Sequence, residues 1–457
     1  MENKYIYYLI LASYLISRIL LIDSIYLFDD TFITFRFAEN LANSNTLIYN
    51  LNENFLGVST PIYALFCAFL DFINIKLTKS ISYINILFEL ISLILIIKYL
   101  NFKNNVFNSL LIILISISPY LFRITLGGME SNLFFLVSIT SIVLFIKKKY
   151  HLMSLIASIN CFIRPEGMIL ILILLILLII EKEYKLLFQL IGIGVLVASI
   201  GLGIIYQYYN TLIPQSVSAK AGLKNITSIQ VLTAIFWKDK VSLLLLIPSI
   251  FGYLKFKKNP FISILFYWML SLVAFYLITK PLVWTWYSYP IWMAISILGI
   301  VYIYHLIQKI KYSNCIVYLV IFPIIFSILI RYKVPNNIKN NIYSKLETYF
   351  EDFEENKHTI YANDIGAIGY YSKQYIYDSE SLIHDIAINL DRKEDIIKLY
   401  NPDFLFINNT KDNFIKLENE LKNYKFVKAF MQNGDSIFPK SHSDSWTQDY
   451  LLYQKID

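Results

Sequence analysis

The chain has 457 residues, of which 57% are hydrophobic and 16% are charged, with a net charge of +7 and a mean hydropathy of +0.54. A soluble domain carries about 25% charged residues, so this chain has too few charges to cover a globular surface. Its apolar residues occur in runs that approach the ~20 residues needed to cross a bilayer, which indicates an integral membrane protein.

The composition also excludes several kinds of site. The lysines fall in short clusters between apolar runs, where they orient membrane proteins, so the positive charge does not indicate nucleic-acid binding. The three cysteines all lie in apolar stretches, and the five histidines are scattered along the chain. The sequence therefore predicts neither a disulfide framework nor a histidine-based metal site.

The first apolar run, Tyr5–Ile22, lacks a small-residue cleavage site and is interpreted as a retained first span. About eleven spans are predicted in all. They lie near 5–22, 81–100, 106–125, 131–146, 151–164, 167–180, 186–206, 241–254, 261–279, 287–307 and 314–330.

The lysine-rich connections between these spans all fall on one side of the membrane. By the positive-inside rule that side is the cytoplasm, which predicts a cytoplasmic N-terminus in a multi-pass protein of the cell (inner or plasma) membrane. The apolar segment Pro61–Ile75 is too short to span, so we interpret it as a re-entrant or interfacial helix. Residues 23–80 then form one extracytoplasmic loop.

From Arg331 onward the sequence becomes rich in Asn, Lys, Glu and Asp. Candidate strands are Thr359–Ala362, Gln374–Tyr377 and Phe404–Ile407, and candidate helices are Lys393–Tyr400 and Asn413–Leu421. Strands that alternate with helices predict a small α/β domain. The fold class is thus an α-helical polytopic membrane protein, 1–330, with a C-terminal extracytoplasmic α/β domain, 331–457.

The segment Leu27–Asn43 of the first loop contains two adjacent acids, Asp29 and Asp30, before an amphipathic helix that is predicted to begin at Thr31. Its polar face, with Arg36, is expected to face water while the helix lies on the membrane surface. Capping of this helix explains one carboxylate but not two. Because adjacent like charges make each other harder to ionise, the pair favours a functional role.

This segment resembles the first-loop signature of GT-C glycosyltransferases, in particular the group that contains mycobacterial arabinofuranosyltransferases, with protein mannosyltransferases and the lipid A aminoarabinose transferase as more distant relatives. The resemblance continues in order along nearly the whole chain. It includes Leu47–Asn50, Gly57–Pro61, Gly127–Ser131, Arg164–Gly167, Tyr209–Pro214, Ser218–Lys220, Trp286–Pro290 and Asp364–Tyr370.

The resemblance implies inverting transfer of a sugar from a polyprenyl-phosphate donor to a glycan, lipid or protein acceptor. It implies that Asp29 is the catalytic base, that Asp30 orients it or binds the acceptor, and that Glu130 is a second active-site acid. The alternative for Glu130 is an acid stabilised by a helix N-terminus. No nucleotide or other certain cofactor is implied, and a divalent metal is possible.

Candidate cations for the donor phosphate are Arg36, Arg164 and Lys220. Each has a plain alternative as an interfacial side chain whose charge reaches water, and Arg36 has a second alternative as a partner of Glu39. Arg164 is the strongest candidate, with Glu166 orienting it. The aromatics Trp286 and Tyr287 are expected either to stack on sugars or, the interpretation we favour, to belong to an interfacial belt.

The charged residue Glu89 lies deep within a predicted span. An intramembrane acid is a functional candidate by default, but pairing with a neighbouring helix or protonation is the simpler interpretation. The first alternative function is a transporter or flippase of lipid-linked sugars, and the second is a non-catalytic surface receptor, which would leave the paired aspartates without a role. Transporters place charges near the bilayer midplane, whereas in this chain nearly all acids and bases lie in loops or near span ends.

Overall fold

A computed structural model of the protein describes residues 4–22, 26–100, 107–108, 110–112, 115, 118–216, 226–308, 342–384, 390, 392, 394–410, 417–431 and 449–456. The chain divides into two units. The first, the helical unit, contains Met1–Ile25, Lys79–Ile204 and Leu223–Pro335. The second, the mixed unit, contains Tyr26–Thr78, Ile205–Gly222 and Asn336–Asp457.

Among the described residues, the long helices come first along the chain and the strands follow. The helices are α1 (Lys4–Leu20), α2 (Asp29–Ser44), α3 (Pro61–Phe72), α4 (Leu77–Leu100), α5 (Pro119–Leu126), α6 (Ser131–Ile146), α7 (Tyr150–Ile163), α8 (Gly167–Ile180), α9 (Tyr184–Tyr209), α10 (Ser228–Leu232), α11 (Lys240–Phe256), α12 (Pro260–Thr279), α13 (Tyr289–Ile307), α14 (Ile342–Phe350), α15 (Gly366–Ser372) and α16 (Asp395–Tyr400). The strands are β1 (Thr359–Ala362), β2 (Tyr375–Asp378), β3 (Phe404–Asn408), β4 (Tyr424–Phe430) and β5 (Tyr450–Lys455).

Short polar signals set the ends of the apolar helices. Asn259 caps α12 by accepting hydrogen bonds from the N–H groups of Phe261 and Ile262, and Pro260 occupies the first helical position. Ser118 caps α5 in the same way, again before a proline. Such caps satisfy amide groups that have no partner inside the helix, and proline loses nothing there.

Within the described ranges of the helical unit, four helices are long and apolar enough to cross a membrane, or five if the bent pair of α5 and α6 forms one span. The long helices are α4, α9, α12 and α13 with its preceding 3₁₀ turn. These spans confirm the predicted polytopic membrane protein. The predicted spans coincide with helices over nearly all of their described residues, whereas 314–330 and six residues of 106–125 (106, 109, 113, 114, 116 and 117) lie outside the described residues.

The mixed unit brings the first loop together with the C-terminal residues. Composition placed a boundary near residue 330, but the contacts group Tyr26–Thr78 with Asn336–Asp457. The short helix α3 buries one side, with Tyr63, Ala64 and Cys67, and exposes Leu65, Phe69 and Phe72 on the other. Its 12 residues agree with the expectation that this segment is too short to span.

The C-terminal part of the mixed unit is built on a five-stranded sheet in the order β2-β1-β3-β5-β4. The first three strands are parallel, and β5 runs antiparallel to both β3 and β4. An apolar cluster around Tyr361, Leu405, Ile396 and Leu451 packs this sheet against α16. The predicted α/β domain is confirmed, with its first three strands correct to within one residue.

Candidate functional site

The acidic pair occupies the first turn of α2, which begins at Asp29 rather than at the predicted Thr31. The N-cap residue is Phe28, so neither aspartate is the N-cap of α2 and the capping interpretation is wrong in that form. Both aspartates are partly buried. Acids in a first turn are favoured by the helix dipole, but that effect does not require two of them.

The Asp29 carboxylate binds another helix. Its Oδ2 accepts a hydrogen bond from the N–H of Gly366 and its Oδ1 from the N–H of Ala367, each at 2.8 Å. These amides begin α15, directly after the turn that leaves β1. The segment Asp364–Tyr370, one of those that carry the family resemblance, therefore forms a strand-to-helix turn, and its amides bind both oxygens of the candidate base.

Two further acids surround this carboxylate. Burial, and next the negative charge of Asp364, raise the pKa of Asp29 to about 8, and the charge of Asp30 adds to the shift. The two amide hydrogen bonds act in the opposite direction. Asp364 is itself held by the amide of Asn408 at 3.0 Å and the hydroxyl of Tyr450 at 2.9 Å. This arrangement can accept a proton near neutral pH.

Arg36 is enclosed by the protein and does not face water. Its Nε donates to the carbonyl of Tyr49 at 2.8 Å, and its Nη1 and Nη2 donate to the carbonyls of Gly369 and Gln374, each at 2.7 Å. The expected solvent-facing polar side of α2 is therefore wrong at this position. The alternative partner, Glu39, pairs with Lys373 instead.

In the helical unit, Arg164 is the centre of a second charged cluster. Its Nη1 donates to Oε1 of Glu130 at 2.8 Å, and its Nη2 donates to Oε1 of Glu166, also at 2.8 Å. Arg164 is only 3% exposed, so the alternative of an interfacial side chain whose charge reaches water is wrong. The expected contact between Glu166 and Arg164 is present.

Aromatic side chains complete this cluster. The Tyr276 hydroxyl donates to Glu166 at 2.9 Å, and the guanidinium carbon of Arg164 lies 4.4 Å from the centre of the Tyr287 ring. Trp286 is buried and stacks on Trp284 with centroids 5.4 Å apart. Burial excludes Trp286 from a lipid-facing belt, so the belt interpretation is wrong for this residue.

Glu130 lies at a sharp bend of the chain. The axes of α5 and α6 differ by 102°, and Glu130 is the N-cap residue of α6. Helix α4 holds the bend, because Ser82 Oγ donates to the carbonyl of Leu126 at 2.7 Å and the Asn85 amide donates to the carbonyl of Met129 at 3.1 Å. The contact with Arg164 gives Glu130 a specific partner beyond a helix dipole.

Glu89 follows Asn85 by one helical turn and is fully buried in an ion pair. Its Oε2 accepts from Arg18 Nε of α1 at 3.2 Å and from the Tyr14 hydroxyl, while its Oε1 accepts from Thr125 of α5 at 3.0 Å. The simpler interpretation of this intramembrane acid, pairing with a neighbouring helix, is thus confirmed. It ties α4 to both α1 and α5.

The predicted site residues therefore fall into two groups. Asp29, Asp30 and Arg36 lie in the mixed unit, whereas Glu130, Arg164, Glu166, Trp286 and Tyr287 lie in the helical unit. Lys220 lies outside the described residues. Among the residues that the structure describes, no group of three or more His, Cys, Asp or Glu side chains could hold a metal ion.

Sequence reasoning missed three participants. Asp364 and Gly366 lie in the segment Asp364–Tyr370, which the resemblance included. The sequence did not show that this segment contacts Asp29. Tyr276 carried no motif at all, being one of many aromatic residues within an apolar helix. Each gains its role from a contact between residues that are distant in sequence.

Comparison with solved structures identifies the architecture. The apo structure of ArnT from Cupriavidus metallidurans matches with a TM-score of 0.63 at 8% identity, over 98% of this chain and 97% of that chain. The chain has the GT-C fold. The structure of ArnT bound to undecaprenyl phosphate matches this chain with a TM-score of 0.58 at 10% identity and the same coverage.

Sequence comparisons add one finding. A family model described as "Domain of unknown function (DUF8728)" matches residues 336–453, which is the C-terminal part of the mixed unit. Among curated proteins no significant match to the chain was found.

Proposed function

We propose that the chain is an inverting glycosyltransferase that moves a sugar from a polyprenyl-phosphate donor to an extracytoplasmic glycan, lipid or protein. The observation that carries this proposal is the likeness to ArnT along 98% of the chain, since ArnT has been solved with a bound polyprenyl phosphate. The lysine-rich connections support an orientation with the N-terminus in the cytoplasm and the C-terminal domain outside.

In the proposed reaction, an acceptor hydroxyl attacks the anomeric carbon of the donor. The new glycosidic bond forms as the bond to the phosphate oxygen breaks, so the polyprenyl phosphate leaves with the bonding electrons. The hydroxyl proton passes to the Asp29 carboxylate. Phosphate is already a good leaving group, so a positioned base is the main requirement on the protein.

The other candidate residues divide the remaining tasks. Glu130 is the second active-site acid, and Arg164 holds it in place, since the carboxylates of Glu130 and Glu166 already overcompensate the charge of Arg164. Tyr287 packs against the Arg164 guanidinium, and Trp286 packs against Tyr287. Lys220 neutralises the donor phosphate. Arg36 is left out of the phosphate contacts because backbone carbonyls engage its guanidinium.

The decisive experiment incubates the purified protein with radiolabelled polyprenyl-phosphate sugars and a panel of acceptors. Wild type is expected to transfer label, and Asp29→Asn is expected to lose about 10²–10⁴-fold in kcat, the usual contribution of a general base. Asp352→Asn, an exposed acid of the same unit, is the matched control and retains transfer. Parallel reactions with a chelator test the dependence on a divalent metal.

Two outcomes would overturn this proposal. Undiminished transfer by Asp29→Asn removes Asp29 as the base. Movement of the intact donor lipid across vesicles, without transfer to any acceptor, establishes the flippase instead.

A further inference from the structure

We propose that the domain of unknown function, residues 336–453, acts as the holder of the catalytic base, gripping the Asp29 carboxylate with the amides of Gly366 and Ala367 and placing Asp364 beside it. This inference rests on the proposed function, in which Asp29 takes the acceptor proton. It makes Gly366 and Asp364 positioning residues for a reaction whose base belongs to a different part of the chain.

The first support is the geometry of the grip. Two amides bind two different oxygens of Asp29 at the same distance, 2.8 Å, which fixes the plane of the carboxylate as well as its position. A carboxylate has about four lone-pair sites, so two amide contacts leave room for an acceptor hydroxyl on each oxygen. The grip therefore orients the base without blocking it.

The second support is the pair of glycines in α15. A Cβ atom on Gly366 would lie 1.9 Å from the backbone oxygen of Asp29 and 2.6 Å from its Oδ2. A Cβ atom on Gly369 would lie 1.8 Å from the Tyr49 hydroxyl. The two glycines are three residues apart and so share one side of the helix. Only a helix without side chains on that side can approach the first loop this closely.

The third support is a second set of hydrogen bonds that fixes the other end of α15. Arg36 binds the carbonyls of Gly369 and Gln374, and Asn50 exchanges two hydrogen bonds with the backbone of Ile376 in the edge strand β2, each at 3.0 Å. Arg36 and Asn50 are both buried. The first loop thus holds α15 at both ends, which prevents the amides from drifting away from Asp29.

The role of Asp364 follows from the charges around Asp29. The titratable groups that face it are Asp30 of α2, Asp364 of the turn, Tyr49 of the first loop and Tyr450 of β5. Burial is the largest cause that raises the pKa of Asp29, and Asp364 is the next. A base with its pKa near the working pH combines proton affinity with ionisation.

The test compares pH profiles of kcat/KM for wild type, Asp364→Asn and the control Asp352→Asn. Activity needs ionised Asp29, so it rises with pH, and the rising limb is expected near the pKa of about 8. Loss of one neighbouring negative charge shifts this limb by about one unit to lower pH in Asp364→Asn. A uniform loss of activity with an unmoved limb overturns the role of Asp364, since a merely structural residue would give that result.

Gly366→Ala tests the grip itself. Displacement of the base by about 1 Å is expected to lower kcat on the order of 100-fold while KM stays near the wild-type value. Activity of Gly366→Ala equal to wild type overturns the grip.

A titration that does not require activity keeps the inference testable if a variant fails to fold. The infrared band of protonated carboxyls is expected to lose a component in wild type as pH rises through about 8, and this component to be missing in Asp29→Asn, whereas the Asp378 component near pH 7 remains in both proteins. A band that is the same in both proteins overturns the inference. If Asp29→Asn abolishes transfer but Asp364→Asn and Gly366→Ala behave as wild type, residues 336–453 do not position Asp29, while the proposed function stands.

Discussion

In the helical unit the charged cluster is centred on a cation, whereas in the mixed unit it is centred on acids. Arg164 is matched by Glu130 and Glu166 at 2.8 Å, so every charge has an opposite partner. Within the described part of the chain, two backbone amides donate hydrogen bonds to Asp29, and two more acids are its neighbours. The first arrangement fixes buried side chains in place, whereas the second raises the pKa of a carboxylate.

The difference predicts opposite responses to the loss of charge. Removing one member of a buried ion pair destabilises the protein, because the remaining charge is left in a medium that solvates it poorly. A buried acid among acids is already destabilised, so its removal relieves repulsion. The first and the last of the three predictions that follow use this contrast, and the second tests the packing of α15.

Arg164→Met leaves Glu130 and Glu166 buried without their cation. We expect a loss of about 3–5 kcal/mol in the free energy of unfolding, measured by chemical denaturation in detergent. Lys76→Met is the control, since Lys76 and its partner Glu347 are both about half exposed and such ion pairs are worth about 0–1 kcal/mol. Equal losses in the two variants would show that burial of the Arg164 cluster has no energetic consequence.

Gly369→Ala places a methyl group against the Tyr49 hydroxyl, 1.8 Å away before any adjustment. Overpacking of this kind costs about 1–3 kcal/mol, which we expect to see as a lower midpoint of thermal unfolding. The matched control is Gly203→Ala in α9, where nothing lies within 4 Å of the new atom. There alanine is expected to stabilise the helix by about 0.5–1 kcal/mol, and the opposite order of the two variants would contradict the packing argument.

The last prediction is a dependence of stability on pH in the mixed unit. Burial raises the pKa of Asp378 to about 7 and is the largest cause of the pKa of about 8 at Asp29. Both values exceed those of the unfolded chain, so the folded state binds more protons and stability falls as pH rises from about 4 towards 8. The slope is at most about 1.4 kcal/mol per pH unit for each group.

Asp378→Asn and Asp29→Asn are each expected to flatten this slope. Unfolding midpoints recorded at a series of pH values provide the measurement. A slope that both variants leave unchanged would mean that these acids are not the groups that titrate.

Much of the fold could be predicted from local patterns. Apolar runs marked the described spans because a bilayer demands about 20 such residues, and β1, β2 and β3 were found because buried parallel strands are short apolar runs between turns. Strands β4 and β5 were missed. In β4 the exposed lysines Lys425 and Lys428 mask a strand that is buried mainly at its two ends, and β5 lacks an alternating pattern because its first four residues are all buried.

The candidate site was less accessible to sequence reasoning. Asp29, Glu130 and Arg164 were selected through motifs, but their partners depend on contacts that no local period encodes. Arg36 shows this limit well. Its position in an amphipathic helix predicts exposure, yet the carbonyl of Gln374 that covers it lies 338 residues further along the chain.

The mixed unit has a consequence for biosynthesis, because its parts emerge from the ribosome at widely separated times. Asp29 is translated 337 residues before the amide of Gly366 that binds it. At about 5–20 residues per second this interval is roughly 17–70 s. Throughout that time the Asp29 carboxylate lacks these amide partners, so the hydrogen bonds that join the two parts of the mixed unit form only after residues 336–453 have been made and folded.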